Sequence, residues 1–211
     1  MDVSDSDVRE ALVLAAQREW RRPVVAGTSE GNQRITQYMH ACNWGWALKS
    51  AGVETYSEAA RRDNPGTLDY CGIFAYWCLT QVGDFLKKDR CVWANPDPQL
   101  KKIFPSTRRF AHPGERDYTG APLEQVGAHE LRRGDIAVIT TSAHRTPHPY
   151  GNQIVIVEET YPDGTFYTVE GNAYGQTGTG KDRGVVVKRR SLGDVRRTYR
   201  VGRDHIELGG E

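Results

Sequence analysis

Apolar residues recur at helical spacing in the first half of the chain and at strand spacing in the last third. Val8, Ala11, Leu12, Ala15 and Ala16 share one face of a helix. Ser4 or Ser6 can cap it, and Asp5 and Asp7 suit the positive end of its dipole. Arg21-Arg22-Pro23 ends it, and a Gly/Ser/Asn stretch follows at Gly27 to Asn32. Ile35, Tyr38 and Met39 mark the inward face of a second short helix, Arg34 to Cys42. Val53 to Arg62 is a further helical candidate, and Asn64-Pro65-Gly66 is a turn. The pattern then changes in kind. Asp69-Tyr-Cys71-Gly-Ile-Phe-Ala-Tyr-Trp-Cys78 opens a helix, about Tyr70 to Leu86, that is apolar nearly all round and therefore buried. Gly83 loosens its end.

From Cys91 to His129 the chain is irregular, with prolines at 96, 98, 105, 113 and 122, and reads as a long surface connection. Strands follow at Asp135 to Thr140, Gln153 to Glu159, Thr165 to Glu170, Val185 to Arg190 and Thr198 to Val201. Pro162-Asp163-Gly164 closes a hairpin between two of them. Helices first and strands later predict an α+β domain. The whole chain, 1–211, reads as one domain, with residues 203–211 as a loose tail.

Composition narrows the class. Hydrophobic residues make up 38% and charged residues 26%, the balance of an ordinary folded protein rather than a disordered one. A net charge of +1 gives no pull toward nucleic acid. The absence of an 18-residue apolar run argues against a membrane span. The first residues mix charges without an apolar stretch, so no cleaved signal peptide is expected, and synthesis in the cytoplasm is. Four cysteines, at 42, 71, 78 and 91, are too few for a disulfide framework and form no C-x-x-C pair. Cys71 and Cys78 stand about 10 Å apart along the helix axis, too far to bridge. Neither a metal nor an organic cofactor is expected.

The chemistry centres on Cys71. A cysteine at a helix N-terminus meets unpaired N–H groups and partial positive charge, which stabilise the thiolate. The plain alternative is one more buried small residue. A cysteine nucleophile needs a base and a group to orient it. The hairpin at 162–164 brings the start of one strand, Gln153, close to the end of the next, Glu170. Glu170 and Asn172 can orient a base or polarise a carbonyl, although a strand-end carboxylate more often satisfies a turn.

These segments, with Leu131-Arg-Arg-Gly134-Asp135-Ile-Ala-Val and Val169-Glu170-Gly171-Asn172, resemble in order and spacing the CHAP family of cell-wall cysteine amidases and peptidases, relatives of NlpC-type and papain-like enzymes. Glu30-Gly-Asn-Gln-Arg34 resembles the family's Asn-rich leader, and Arg189-Arg190-Ser-Leu-Gly-Asp194 its last strand pair. The resemblance implies a papain-like fold, with a helical N-terminal half whose cysteine helix packs on an antiparallel sheet and insertions at about 43–67 and 91–128. It implies Cys71 as nucleophile, a general base opening the strand at 153, and orienting residues at Glu170 and Asn172. It also implies hydrolysis of amide bonds in peptidoglycan or a similar peptide, by a phage lysin or an injected antibacterial toxin. A toxin would bring a delivery or immunity protein as partner, and wall chemistry would require a non-classical route of export or release by lysis.

One departure matters. The family's histidine slot holds Gln153, and an amide is no base near neutral pH. Three explanations stand. A loop histidine, His148 or His144, takes over. The chain is an inactive relative that binds, or builds a phage tail or injection device. Or the histidine was replaced deliberately. Gly175 to Asp182 nearly spells a phosphate loop, but it ends in Asp and precedes a strand, so a flexible turn is the better reading. Trp44-Gly-Trp46 offers stacking faces to a sugar, with packing the commoner role. The basic run Lys188 to Arg200 reads as the solvent face of alternating strands.

Overall fold

A computed structural model describes residues 3–22, 24–64, 68–86, 92–104, 123–141, 152–177 and 180–210. The chain is α+β with antiparallel sheets. Its helices are α1 (Asp5–Arg21), α2 (Ser29–Ala41), α3 (Gly45–Ser50), α4 (Glu58–Asp63), α5 (Cys71–Thr80) and α6 (Pro98–Ile103). Its strands are β1 (Val92–Pro96), β2 (Glu124–Val126), β3 (Ile136–Ile139), β4 (Gln153–Thr160), β5 (Thr165–Thr177), β6 (Gly180–Ser191), β7 (Val195–Arg200) and β8 (Ile206–Gly210). No helix among the described residues is long and apolar enough to cross a membrane.

The six-stranded sheet runs β2-β7-β3-β4-β5-β6, and β1 pairs with β8 in a separate ribbon. Alternation sorts the sheet's side chains. Ile136, Val138, Ile154, Ile156 and Val169 join the helices in the main core. Ala137, Ile139, Val155, Val157 and Phe166 form a second cluster on the other face. The β4–β5 hairpin forms as expected, with Gly164 at φ 77 and Tyr161 N–H bonded to the Thr165 carbonyl at 2.9 Å.

Several elements differ from the sequence expectation. Ser4 caps α1 through a reciprocal pair with Asp7, as anticipated. However, α2 begins at Ser29, five residues before Arg34, because Thr28 accepts a bond from Gly31 N–H and starts the helix inside the Gly/Ser/Asn stretch. The helix at 53–62 is confined to α4, where Ser57 supplies the cap. α5 stops at Thr80 and a 3₁₀ turn covers Val82–Asp84. The tail expected to be loose forms β8 over 206–210, paired with β1 from the supposedly irregular connection. β5 and β6 run beyond the expected strand ends as a long two-stranded arm. Pro65 and Gly66, and the prolines at 105, 113 and 122, lie outside the described residues.

α5 is held against the sheet by two glycines. A Cβ on Gly72 would overlap the Phe104 carbonyl oxygen and stand 2.7 Å from the Ile154 side chain. A Cβ on Gly171 would stand 2.5 Å from Cβ of Phe74. Behind α5, the fully buried Glu19 of α1 accepts Arg34 on two nitrogens and Tyr38 Oη at 2.8 Å. The Arg34 guanidinium lies 4.8 Å from the Trp77 ring centroid, tying α1, α2 and α5 together.

Two expectations follow. Gly72→Ala should cost about 1–3 kcal/mol through overpacking, read as a lower urea midpoint. Acid should also weaken the helical layer. Burial raises the Glu19 carboxyl, but the Arg34 and Tyr38 hydrogen bonds outweigh it and hold the group below its usual 4.5. A depressed carboxyl contributes stability above its unfolded value and loses it as the pH falls through the folded one. Urea midpoints measured downward from pH 5 should therefore fall more steeply for the unaltered chain than for Glu19→Gln. Parallel curves would remove Glu19 from the account.

Candidate functional site

Cys71 is the first residue of α5 and is partly exposed, while Cys42 and Cys78 are buried. Phe74 N–H is the first in the helix to bond backward, to the Tyr70 carbonyl at 2.8 Å, and Tyr70 supplies no side-chain cap. Backbone N–H groups at the helix mouth are thus left without intrahelical partners. The thiolate, however, is not stabilised overall as the helix position led us to expect. Burial of the sulfur pushes the thiol up to about 11. Hydrogen bonds from the Ile154 and Gly72 N–H groups pull it down, while the charges of Asp69 and Glu170 push it up further.

The contact with Ile154 places the sulfur at the opening of β4. There the β4–β5 ladder has ended, its last pair on this side being Ile156 with Val169. Gln153 bridges the gap with its side chain, donating from Nε2 to the Gly171 carbonyl at 2.7 Å. Gln153 and Glu170 sit on neighbouring strands. By alternation they share the face that carries Val155, Val157 and Phe166, opposite the face on which Ile154, Ile156 and Val169 meet the helices. The Glu170 carboxylate is fully buried and committed. It accepts Arg190 Nε and Nη2, each at 2.7 Å, and Thr168 Oγ1 at 2.7 Å. This arrangement joins β5 to β6 through the carboxylate.

The Asn172 side chain is engaged at both ends of its amide. The residue sits at φ 59, within a bulge between Glu170 and Ala173. Its Nδ2 donates to Asp69 Oδ1 at 2.6 Å, and its Oδ1 accepts Arg183 Nη1 at 3.0 Å. Arg61 and Arg183 approach Asp69 at 3.6 and 3.8 Å, and both also approach Glu58. Sequence reasoning missed this cluster. Asp69 could have been noticed two residues before Cys71. Arg183 gave no signal, because only the bulge in β5 sets its register opposite Tyr174.

The described histidines have local contacts. The His40 ring lies against Gly45 and the His129 ring against Gly127, and His205 Nδ1 accepts from Gly202 N–H at 2.9 Å. His144 and His148 lie outside the described residues. The connection that carries them leaves from Thr141 and returns at Asn152, and these two are bonded, Thr141 N–H to Asn152 Oδ1 at 2.9 Å. Among the described residues no group of His, Cys, Asp and Glu is arranged to hold a metal. A cavity of about 400 Å³ lies at the other end of the β4–β5 hairpin, among His129, Leu131, Tyr161, Thr165, Phe166 and Leu192. That end is roughly 20 Å from Ile154 by strand length. No protein-family model, curated protein or solved structure matches the chain.

Cys71 should alkylate slowly at pH 7, and its rate should climb with pH toward an inflection near 11. Iodoacetamide labelling, read by mass spectrometry with Cys71→Ala as control, measures this. An inflection below pH 8 would show that a cation near the sulfur has been overlooked.

Proposed function

We propose that the chain is a Cys71-dependent amidase or peptidase of papain-like fold, acting on peptidoglycan or a similar peptide. The observation that supports this reading is the position of Cys71. It is the first residue of a buried helix, partly exposed, with its sulfur against the opening of an antiparallel strand. In the proposed reaction the Cys71 sulfur attacks the carbonyl carbon and forms a thioester as the amine leaves. Backbone N–H groups of the helix mouth face the developing oxyanion. Water then hydrolyses the thioester and frees the acid.

Attack requires removal of the thiol proton and delivery of a proton to the leaving amine. Gln153 can do neither, and its amide is engaged with Gly171. In the proposed enzyme that task falls to His148, five residues before Gln153, or to His144. A second reading, a binding or structural module that has lost catalysis, is favoured by the same Gln153 bond and by the raised thiol.

Purified peptidoglycan, with released fragments identified by mass spectrometry, separates the two readings. The unaltered chain should release fragments, Cys71→Ala none, and His148→Ala roughly a hundred- to ten-thousandfold fewer if that imidazole is the base. If the unaltered chain is inert while its binding to wall fragments persists, the binding module is the reading that stands. Fragments still released by Cys71→Ala would sink the enzymatic reading altogether.

A further inference from the structure

The bulge in β5 sets two residues, Gly171 and Asn172, between the pairs Glu170–Val186 and Ala173–Gly184. Each serves one side of the helix mouth. The Gly171 carbonyl accepts Gln153 Nε2 at 2.7 Å and so fixes the opening of β4, where the next residue, Ile154, gives its N–H to the Cys71 sulfur. Asn172 reaches the other side. Its Nδ2 donates to Asp69 Oδ1 at 2.6 Å, two residues before Cys71, and its Oδ1 is held by Arg183 Nη1 at 3.0 Å. Between Asp69 and Cys71 the Tyr70 side chain is fully buried, its ring edge-on to Tyr56 with centroids 5.5 Å apart, so this short segment is pinned. Asn172 makes its contact from φ 59, a left-handed conformation uncommon outside glycine. Bulges re-aim side chains, and the one re-aimed here holds Asp69.

The charges around the sulfur differ in how firmly they are matched. Burial is the largest influence on the thiol. The Ile154 and Gly72 N–H groups favour the thiolate, and the Asp69 and Glu170 carboxylates oppose it, Asp69 the more strongly. Glu170 of β5 is fully buried against Arg190 of β6, on two nitrogens at 2.7 Å, with Lys188 also facing it. Among the described residues Asp69 has no arginine so close. Arg61 of α4 and Arg183 of β6 stand at 3.6 and 3.8 Å and also face Glu58, as does Arg62. The short contact of Asp69 is with the uncharged Asn172 amide, and its side chain is 42% accessible. We propose that Asn172 is a positioning residue for Cys71, fixing the Asp69 carboxylate at the mouth of α5 as a negative charge that restrains the thiol. Removing that charge, or letting it move away, releases the sulfur. The consequence for catalysis rests on the Cys71 reading, and the restraint itself does not.

The test follows iodoacetamide labelling of Cys71 against pH by mass spectrometry in the full chain, with folding checked by near-ultraviolet circular dichroism. Asp69→Asn removes the charge at nearly constant size. It should label roughly two- to fivefold faster at pH 9, with the inflection moved down. Asn172→Gly tolerates the left-handed backbone and should raise the rate in the same direction by freeing Asp69 to turn toward solvent. In the double variant Asn172→Gly should add nothing further, because the charge it positions is gone. General loosening of the site would instead speed labelling equally in both backgrounds. Identical pH profiles for the unaltered chain and Asp69→Asn overturn the proposal, as does an Asn172→Gly effect of the same size with and without the Asp69 charge. If Asp69→Asn folds poorly, Asp69→Ser carries the same expectation and the same refutation. Labelling needs no amide hydrolysis. A chain that shows the Asp69 dependence yet never cleaves the wall would end the amidase reading and leave the restraint standing.

Discussion

The approach of α5 to the sheet at its first turn is the constraint on which the site depends. Gly72 lets the helix come within backbone contact of Phe104 and of the Ile154 side chain, and Gly171 gives way to Phe74 from the strand side. This contact brings the Cys71 sulfur to the Ile154 N–H. Where the helix mouth meets the sheet, the β4–β5 ladder is interrupted and the Gln153 side chain spans the gap to Gly171. A larger residue at 72 or 171 would push helix and sheet apart and separate the thiol from the strand end.

Buried charge does the complementary work of fixing neighbours. Glu19 holds α1 to α2 through Arg34, Asp135 holds the entry of β3 to β7 through Arg200, and Glu170 holds β5 to β6 through Arg190. Each carboxylate meets two nitrogens of its arginine, the geometry in which guanidinium discriminates best. Such pairs gain little over an apolar substitute, but removing one partner strands a buried charge. For Glu170, three of the carboxylate's acceptor sites are taken by Arg190 and Thr168.

Periodicity and punctuation made much of the frame legible. The all-round apolar run announced α5 with Cys71 at its mouth, Ser4 announced the first cap, and Pro162-Asp-Gly164 announced the hairpin. What the sequence hid was set by distant pairing. Nothing local in Ile206 to Gly210 marks a strand, since its only partner in the ribbon is β1, more than a hundred residues away. The left-handed Asn172 was likewise invisible. It arises from a bulge in β5, and that bulge brings Arg183 onto Asn172 and through it Asp69 onto the helix mouth. The start of α2 was hidden for a local reason, because a glycine- and asparagine-rich stretch looks like a loop until Thr28 caps it.

The Cys71 thiol shows why a helix mouth alone does not activate a cysteine. A helix terminus is typically worth about 0.3–1 kcal/mol to a charge beside it. That is less than one pKa unit, since one unit is about 1.4 kcal/mol. Burial acts on the whole charge and is the largest influence here, and Asp69 and Glu170 add to it. The nearby arginines do not reverse the sign. Arg61 and Arg183 face Glu58 and Asp69, and Arg190 is spent on Glu170. An imidazolium close to the sulfur would differ from all three, because it would bring positive charge without a carboxylate of its own and could also carry the proton. Neither the helix dipole nor the surrounding arginines supply what such an imidazolium would bring to the sulfur.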